Sequence, residues 1–259
     1  MLAGCDMVDE NDRFKEMEIE ISEKKRVLLE DFTGQECVNC PAAAKVATGL
    51  KSVYGDKLVV VSIHAGAFSR PTLRTEEGTA YDAKFHPQEM GYPAGMINRS
   101  YFDGNYIFTN PDSWGAYVLA QLESEAVVDF EMTPVYDEAA GTIQVKAVFD
   151  SDTDLSNVNF QLWVIESGII APQKSVNPDG SVSTISDYEH NHVLRGAING
   201  TWGEPISLKE GEKIEYTSPV YTLKSKWVPE NMGIVGFVYN TANNEIYQCL
   251  EIHMIQTEH

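Results

Sequence analysis

Long apolar runs are missing from this chain. No stretch approaches the roughly 20 residues that a helix needs to span a bilayer, which excludes helical membrane spans. Positive charge is also scarce. Lys and Arg number 19 against 39 Asp and Glu, a formal net charge of −20. Such a surface repels nucleic acid and anionic lipid, so both make poor partners. Cysteine is sparse: Cys5, Cys37, Cys40 and Cys249 are too few for a scaffold stapled by disulfides. Tandem repeats and low-complexity tracts are absent. The apolar fraction of 43% excludes wholesale disorder, and 259 residues suffice for one or two domains with their own cores.

The first residues carry a signal. Leu2-Ala3-Gly4-Cys5 has the pattern of a bacterial lipobox, whose cysteine becomes the lipidated first residue. Met1 is read as standing in place of the charged and apolar parts of such a signal. Asp6, Asp9, Glu10 and Asp12 follow closely; an acidic stretch after the lipidated cysteine resembles the surface-export signal of Bacteroides-type bacteria, and a solvated tether explains the same charges. Localisation is therefore expected at the outer membrane, lipid-anchored through Cys5 and facing the cell surface, with the periplasmic face as the alternative. Residues 1–24 are expected to form a tether and a short strand, since Met17, Ile19 and Ile21 alternate with glutamates.

Beyond the tether, residues 27–32 read as a strand. Ala43, Val46, Ala47, Leu50, Val53 and Tyr54 form the apolar stripe of a helix ending at Gly55. The nearly continuous apolar run 58–63 is a strand buried on both faces. Strand, helix, strand makes a βαβ unit with a right-handed crossover. A second helix over 75–85, a turn at Gly91-Tyr92-Pro93, a strand over 94–98, a hairpin at Asp103-Gly104 returning along 106–108, and a helix capped by Asn110 complete a region 25–125. From Glu125 the pattern alternates with period two. Strands are expected near 143–149, 160–165, 214–217, 234–239 and 246–252, a β-sandwich of Ig-like type over 126–259.

Cys37-Val38-Asn39-Cys40 is the one paired cysteine spacing. A thiolate is the attacking species, and unpaired N–H groups with the positive end of a helix favour it at a helix start. The second cysteine, one turn on, resolves the mixed disulfide. The same spacing binds zinc, usually with a second pair or a His pair; none is here, and His64 or His86 ranks well below redox use, so no metal is assigned. An inert structural disulfide is the remaining alternative. Glu36 should disfavour the Cys37 thiolate, partly opposing the helix. Cys37 should be the more exposed thiol, with Cys40 shielded behind it.

These residues resemble the thioredoxin superfamily. Asp31-Phe32 precedes the cysteines where that superfamily places a buried Asp and a Phe. Tyr92-Pro93 before the strand 94–98 is similar to its cis-proline loop. The resemblance implies an α/β thioredoxin-like domain over 25–125, Cys37 and Cys40 as catalytic residues, Asp31 as proton acceptor for Cys40, and Pro93 with Tyr92, Val38 and Asn39 holding substrate backbone. The chain departs from thioredoxin in Glu36 before the pair, Val38-Asn39 within it and Pro41 after it. More narrowly, Phe32-Thr33-Gly34, Cys37-Val38-Asn39-Cys40-Pro41, Ser62-Ile63-His64-Ala65-Gly66, Gly91-Tyr92-Pro93 and residues 190–195 resemble the twenty-eight-kilodalton outer membrane protein family of Bacteroides-type bacteria. That family is known as surface or outer-membrane lipoproteins, some described as adhesins.

Two functions follow as expectations. One is a cell-envelope thiol–disulfide oxidoreductase, needing no dissolved cofactor but a protein substrate with disulfide or thiols and a redox partner protein. The other is a surface binding or adhesion lipoprotein in which the Cys37–Cys40 pair is only structural. His64 is read as a hydrogen-bonded structural residue, His190 and His192 as an ordinary surface loop, Cys249 as a buried small residue, and Trp163 and Trp227 as core.

Overall fold

The computed structural model describes residues 24–255. Cys5, the acidic tether and the strand expected over Met17, Ile19 and Ile21 lie outside the described residues. β1 (Val27–Thr33) leads through the cysteine loop into α1 (Cys40–Tyr54), and β2 (Leu58–His64) returns parallel to β1. β1 is buried along its whole length, as strands covered on both faces are. α2 (Glu76–Phe85) starts at Thr75, whose hydroxyl accepts the Gly78 N–H at 2.9 Å. After α3 (Pro87–Met90), β3 (Ala94–Ile97) runs antiparallel to β1, with Asp31 opposite Gly95. A 3-10 turn capped by Asn110 then enters α4 (Trp114–Leu122).

The return strand expected over 106–108 is reduced to a bridge, Gly95 to Phe108. Trp114 packs over this bridge. Its indole packs so closely that a Cβ on Gly95 would lie 2.5 Å from the ring, and its Nε1 donates to Phe108 O at 2.9 Å.

The second half is built of β4 (Val128–Asp137), β5 (Thr142–Ser151), β6 (Leu155–Glu166), β7 (Ile169–Val176), β8 (Val182–His190), β9 (Val193–Ala197), β10 (Glu204–Leu208), β11 (Ile214–Thr217), β12 (Tyr221–Thr222), β13 (Met232–Asn240) and β14 (Ile246–His253). β4, β5, β11 and β12 form one sheet, and β7 pairs with β8 as a separate hairpin. Phe130, Val145 and Phe149 of the small sheet pack on Phe160, Leu162 and Ile234 of a larger one.

That larger sheet runs through both halves, which the sequence pattern divides near residue 125. Its order is β14-β13-β6-β9-β2-β1-β3, with β10 on β6, so strands of both halves share one ladder. The junction is β2 against β9, where Ser62 N–H donates to His192 O at 2.8 Å. β2 is buried along nearly all its length, and on its outer edge the Ser62 N–H, a group that needs a partner, finds one in His192 O. The result is a sheet-rich mixed α/β fold in which one face of the two-sheet packing belongs to the same sheet as β1.

The shared core holds a buried ion pair. Arg99 Nε and Nη2 donate to the two carboxylate oxygens of Glu30, each at 2.8 Å. The guanidinium lies 4.7 Å from the Phe85 ring centre and 5.2 Å from that of Phe237, joining side chains of both halves.

Candidate functional site

Residues 34–37 turn the chain out of β1, with Cys37 N–H donating to Gly34 O at 3.0 Å. A Cβ on Gly34 would meet Phe68 O at 2.4 Å. Glycine is therefore what allows the segment after β2 to close on this loop, where Glu36 N–H donates to Phe68 O. Cys40, not Cys37, is the first residue of α1, and Pro41 follows where a missing N–H is tolerated. Asn39 precedes the helix without a capping side-chain bond and is exposed; Val38 is half-buried. The two cysteines form a disulfide with an S–S length of 2.08 Å.

The expected difference in exposure is absent. Cys37 is 3% exposed and Cys40 2%. The β7–β8 hairpin is the cause. Lys174 N–H donates to Gln35 O at 2.8 Å and Val176 N–H to Val38 O at 3.2 Å, so β7 lies along the cysteine loop. Gln173 Nε2 donates to Cys37 O at 2.9 Å and Gly34 O at 3.2 Å.

Glu36 also departs from expectation. Its carboxylate pairs with Arg70 at 2.6 Å and Lys174 at 2.7 Å. Hydrogen bonds from Lys174 and then Arg70 hold its carboxyl below the usual range. Two cations offset its charge, so it opposes a Cys37 thiolate less than a lone carboxylate would.

Cys40 borders a cavity of about 230 Å³, lined also by Asp31, Thr33, His64, Tyr188 and His190. Asp31 and His64 belong to neighbouring parallel strands, with Asp31 paired to Ser62 and Thr33 to His64, so all four point to one side of the sheet. Asp31 Oδ1, His64 Nδ1 and His190 Nε2 are buried without a protein hydrogen-bond partner. Burial raises the Asp31 carboxyl to about 7. Burial, aided by His190 and Arg195, lowers His64 to about 3. Burial lowers His190 to about 4. Near neutrality His64 and His190 are thus uncharged and the Asp31 carboxyl is close to its midpoint, an arrangement able to take up a proton beside Cys40, and His192 and Glu189 line the same cavity.

His190 corrects its assignment to a surface loop: it ends β8, is buried, and meets His64 edge-on at 5.2 Å between ring centres. The Tyr92–Pro93 peptide is cis and Pro93 is buried just before β3. Tyr92 is engaged within the fold: its hydroxyl donates to Asp82 Oδ1 at 2.6 Å. Cys249 is fully buried, and burial pushes its thiol up to about 12. Among the described residues, no group of three or more His, Cys, Asp or Glu is placed to hold a metal ion. Gln173 was not singled out in the sequence, because nothing local to a polar strand shows which distant loop it will meet.

A family model described as outer membrane protein Omp28 matches residues 79–255, a stretch that begins after the dithiol. No curated protein matches. Among solved structures, HBP35 of Porphyromonas gingivalis superposes with a TM-score of 0.69 at 15% identity, covering 92% of this chain and 78% of that one. A protein of Agrobacterium tumefaciens gives 0.52 at 13% identity, covering 92% and 99%. A domain of the outer membrane lipoprotein Omp28 from Porphyromonas gingivalis is 25% identical over 50% of this chain and 88% of its own, with a TM-score of 0.33.

Proposed function

The chain belongs to the Omp28 outer membrane protein family, and from that footing we propose that it is a thiol–disulfide oxidoreductase of the cell envelope. The outer membrane is its location, and among the described residues no helix is long and apolar enough to cross a membrane. Lipid on Cys5 would hold it there, with more than one acyl chain needed for stable anchoring. The native precursor and its Cys5→Ser form should partition differently on cell fractionation; equal membrane partition removes the anchor.

One observation carries the proposal: the Cys37–Cys40 disulfide stands at a strand-to-helix junction with Cys40 and buried Asp31 on one cavity. The order β1-α1-β2-α2-β3-α4 with Pro93 ahead of β3 supports a thioredoxin-like unit within the shared sheet. In the reducing direction, the Cys37 thiolate attacks a substrate disulfide. An S–S bond forms to Cys37 and the departing substrate sulfur leaves as thiolate. Cys40 then gives its proton to the Asp31 carboxylate and attacks Cys37 Sγ, restoring the internal disulfide and releasing the second substrate thiolate. Two electrons pass from the dithiol to the substrate, and a redox partner protein restores the dithiol. Pro93, Val38 and Asn39 are the proposed substrate-backbone contacts.

The buried state of both sulfurs favours the alternative, a surface binding lipoprotein with a structural Cys37–Cys40 bond. Titration against glutathione separates the two. An exchanging pair should equilibrate above roughly −300 mV, whereas a structural bond resists reduction.

A further inference from the structure

A second cleft, of about 280 Å³, opens between the segment ahead of α2 and the loop after β12. Nine residues line it. Four are cations, Arg74, Arg195, Lys224 and Lys226, and none is acidic. In a chain with twice as many acidic as basic residues, a concave site with this lining is far from the average surface. Glu166, from outside the lining, pairs with Arg195 Nε at 3.1 Å and offsets one charge. Among the described residues, Arg74, Lys224 and Lys226 are in no ion pair, and all three are exposed.

The cleft is built rather than accidental. Trp227 is buried at its floor, with the Arg195 guanidinium 5.2 Å and the Lys224 ammonium 5.3 Å from its ring centre. Tyr221 stacks on the same indole with a 10° interplanar angle. Arg74 is held by Gly66 O at 2.8 Å and by Ser69 O, both neutral acceptors that leave its charge uncancelled. Gathering like charges raises the energy of the empty cleft, and an anion seated among them relieves it.

We propose that this cleft binds a phosphate group. Three uncompensated cations suit a dianion, and a phosphate monoester carries about −1.5 to −2 charges near neutral pH. An arginine fork with lysine point charges is the donor set such oxygens take. Hydroxyls of Thr72, Thr75 and Ser225 on the same lining add neutral donors. The group could be free, on a sugar or on a lipid headgroup; the chemistry recognised is the same. The site lies outside the dithiol cavity and does not depend on the redox proposal.

The test is calorimetric titration of the purified protein at low ionic strength. The probes are inorganic phosphate, glucose 6-phosphate, and vesicles of phosphatidylglycerol compared with phosphatidylcholine. Saturable binding of at least one phosphate probe is expected, weakening with added salt. The exposed double variant Lys224→Gln/Lys226→Gln should bind about tenfold or more weakly, having lost two charge-assisted contacts. Its thermal transition without ligand should be no lower than that of the wild type, showing that the fold survives. Tighter binding of the sugar or lipid probe than of inorganic phosphate identifies the carrier. Absence of binding by every phosphate probe, or equal binding by the double variant, overturns the proposal.

Discussion

Gln173 and Cys37, 136 positions apart, are joined by a hydrogen bond of 2.9 Å from side-chain amide to backbone carbonyl. Through it and the backbone contacts of Lys174 and Val176, a hairpin of the second half covers the cysteine loop of the first. The cover lies along the loop that carries the buried disulfide, and exchange with a protein substrate requires it to move.

Loosening the cover should expose the bond. Gln173→Ala removes donors to both Cys37 and Gly34 carbonyls, a loss worth roughly 1–2 kcal/mol. If that energy holds the hairpin down, dithiothreitol should reduce the disulfide about tenfold faster in the variant under native conditions. Stopped-flow or quench kinetics with thiol labelling provide the check. An unchanged rate would show that the hairpin does not gate access.

Asp31 should make stability depend on pH. Its folded carboxyl is raised to about 7 from 3.8 by burial, so the folded state binds the proton more tightly than the unfolded one. The cost of charging it is absent below pH 3.8, grows as pH rises and is complete above about 7. By linkage it reaches roughly 3–5 kcal/mol. Asp31→Asn should therefore gain stability relative to wild type as pH rises from 4 to 8. Urea melts across that range give the difference, and a flat one contradicts the buried carboxyl.

The histidines act in the opposite sense. His64 and His190 are lowered to about 3 and about 4, chiefly by burial. Below pH 6.5 the unfolded chain takes up protons that the folded imidazoles do not, and stability falls. The double variant His64→Gln/His190→Gln should show a shallower loss between pH 6.5 and 4 than wild type. Equal slopes would place the acid sensitivity elsewhere.

Breaking the buried pair should weaken the whole fold. Arg99→Met leaves the Glu30 carboxylate, fully buried, without its bidentate partner. The expected loss is about 3–5 kcal/mol, read from denaturant melts. A loss below about 1 kcal/mol would mean that Glu30 finds another partner or takes up a proton.

Local patterns carried much of this structure into view. The alternation in residues 143–149, the apolar stripe of α1 and the Asn110 cap each depend on neighbours within a few residues. The contact between β2 and β9 does not. It rests on Ser62 meeting His192, 130 positions away, and nothing in either segment names the other. The same limit hid the role of Gln173 and the burial of His190, whose strand is otherwise exposed along most of its length. The cysteine spacing and the Asp31 position were legible because the chemistry lies within ten residues. Whether the sulfurs are open to solvent is decided by a hairpin that begins more than a hundred residues later.

Trapping of mixed disulfides separates an oxidoreductase from a binding protein. Cys40→Ser leaves Cys37 able to attack while removing the resolving thiol, so covalent adducts with envelope proteins should accumulate and be released by reductant. Cys37→Ser should accumulate almost none, because the remaining thiol faces the interior cavity. Both variants are expressed with the native precursor, quenched in acid and compared on non-reducing gels. Reductant-sensitive adducts through Cys37 alone are the predicted result. Adducts from neither variant, together with a wild-type disulfide that resists glutathione, would contradict the oxidoreductase and leave a surface binding protein with a structural bond.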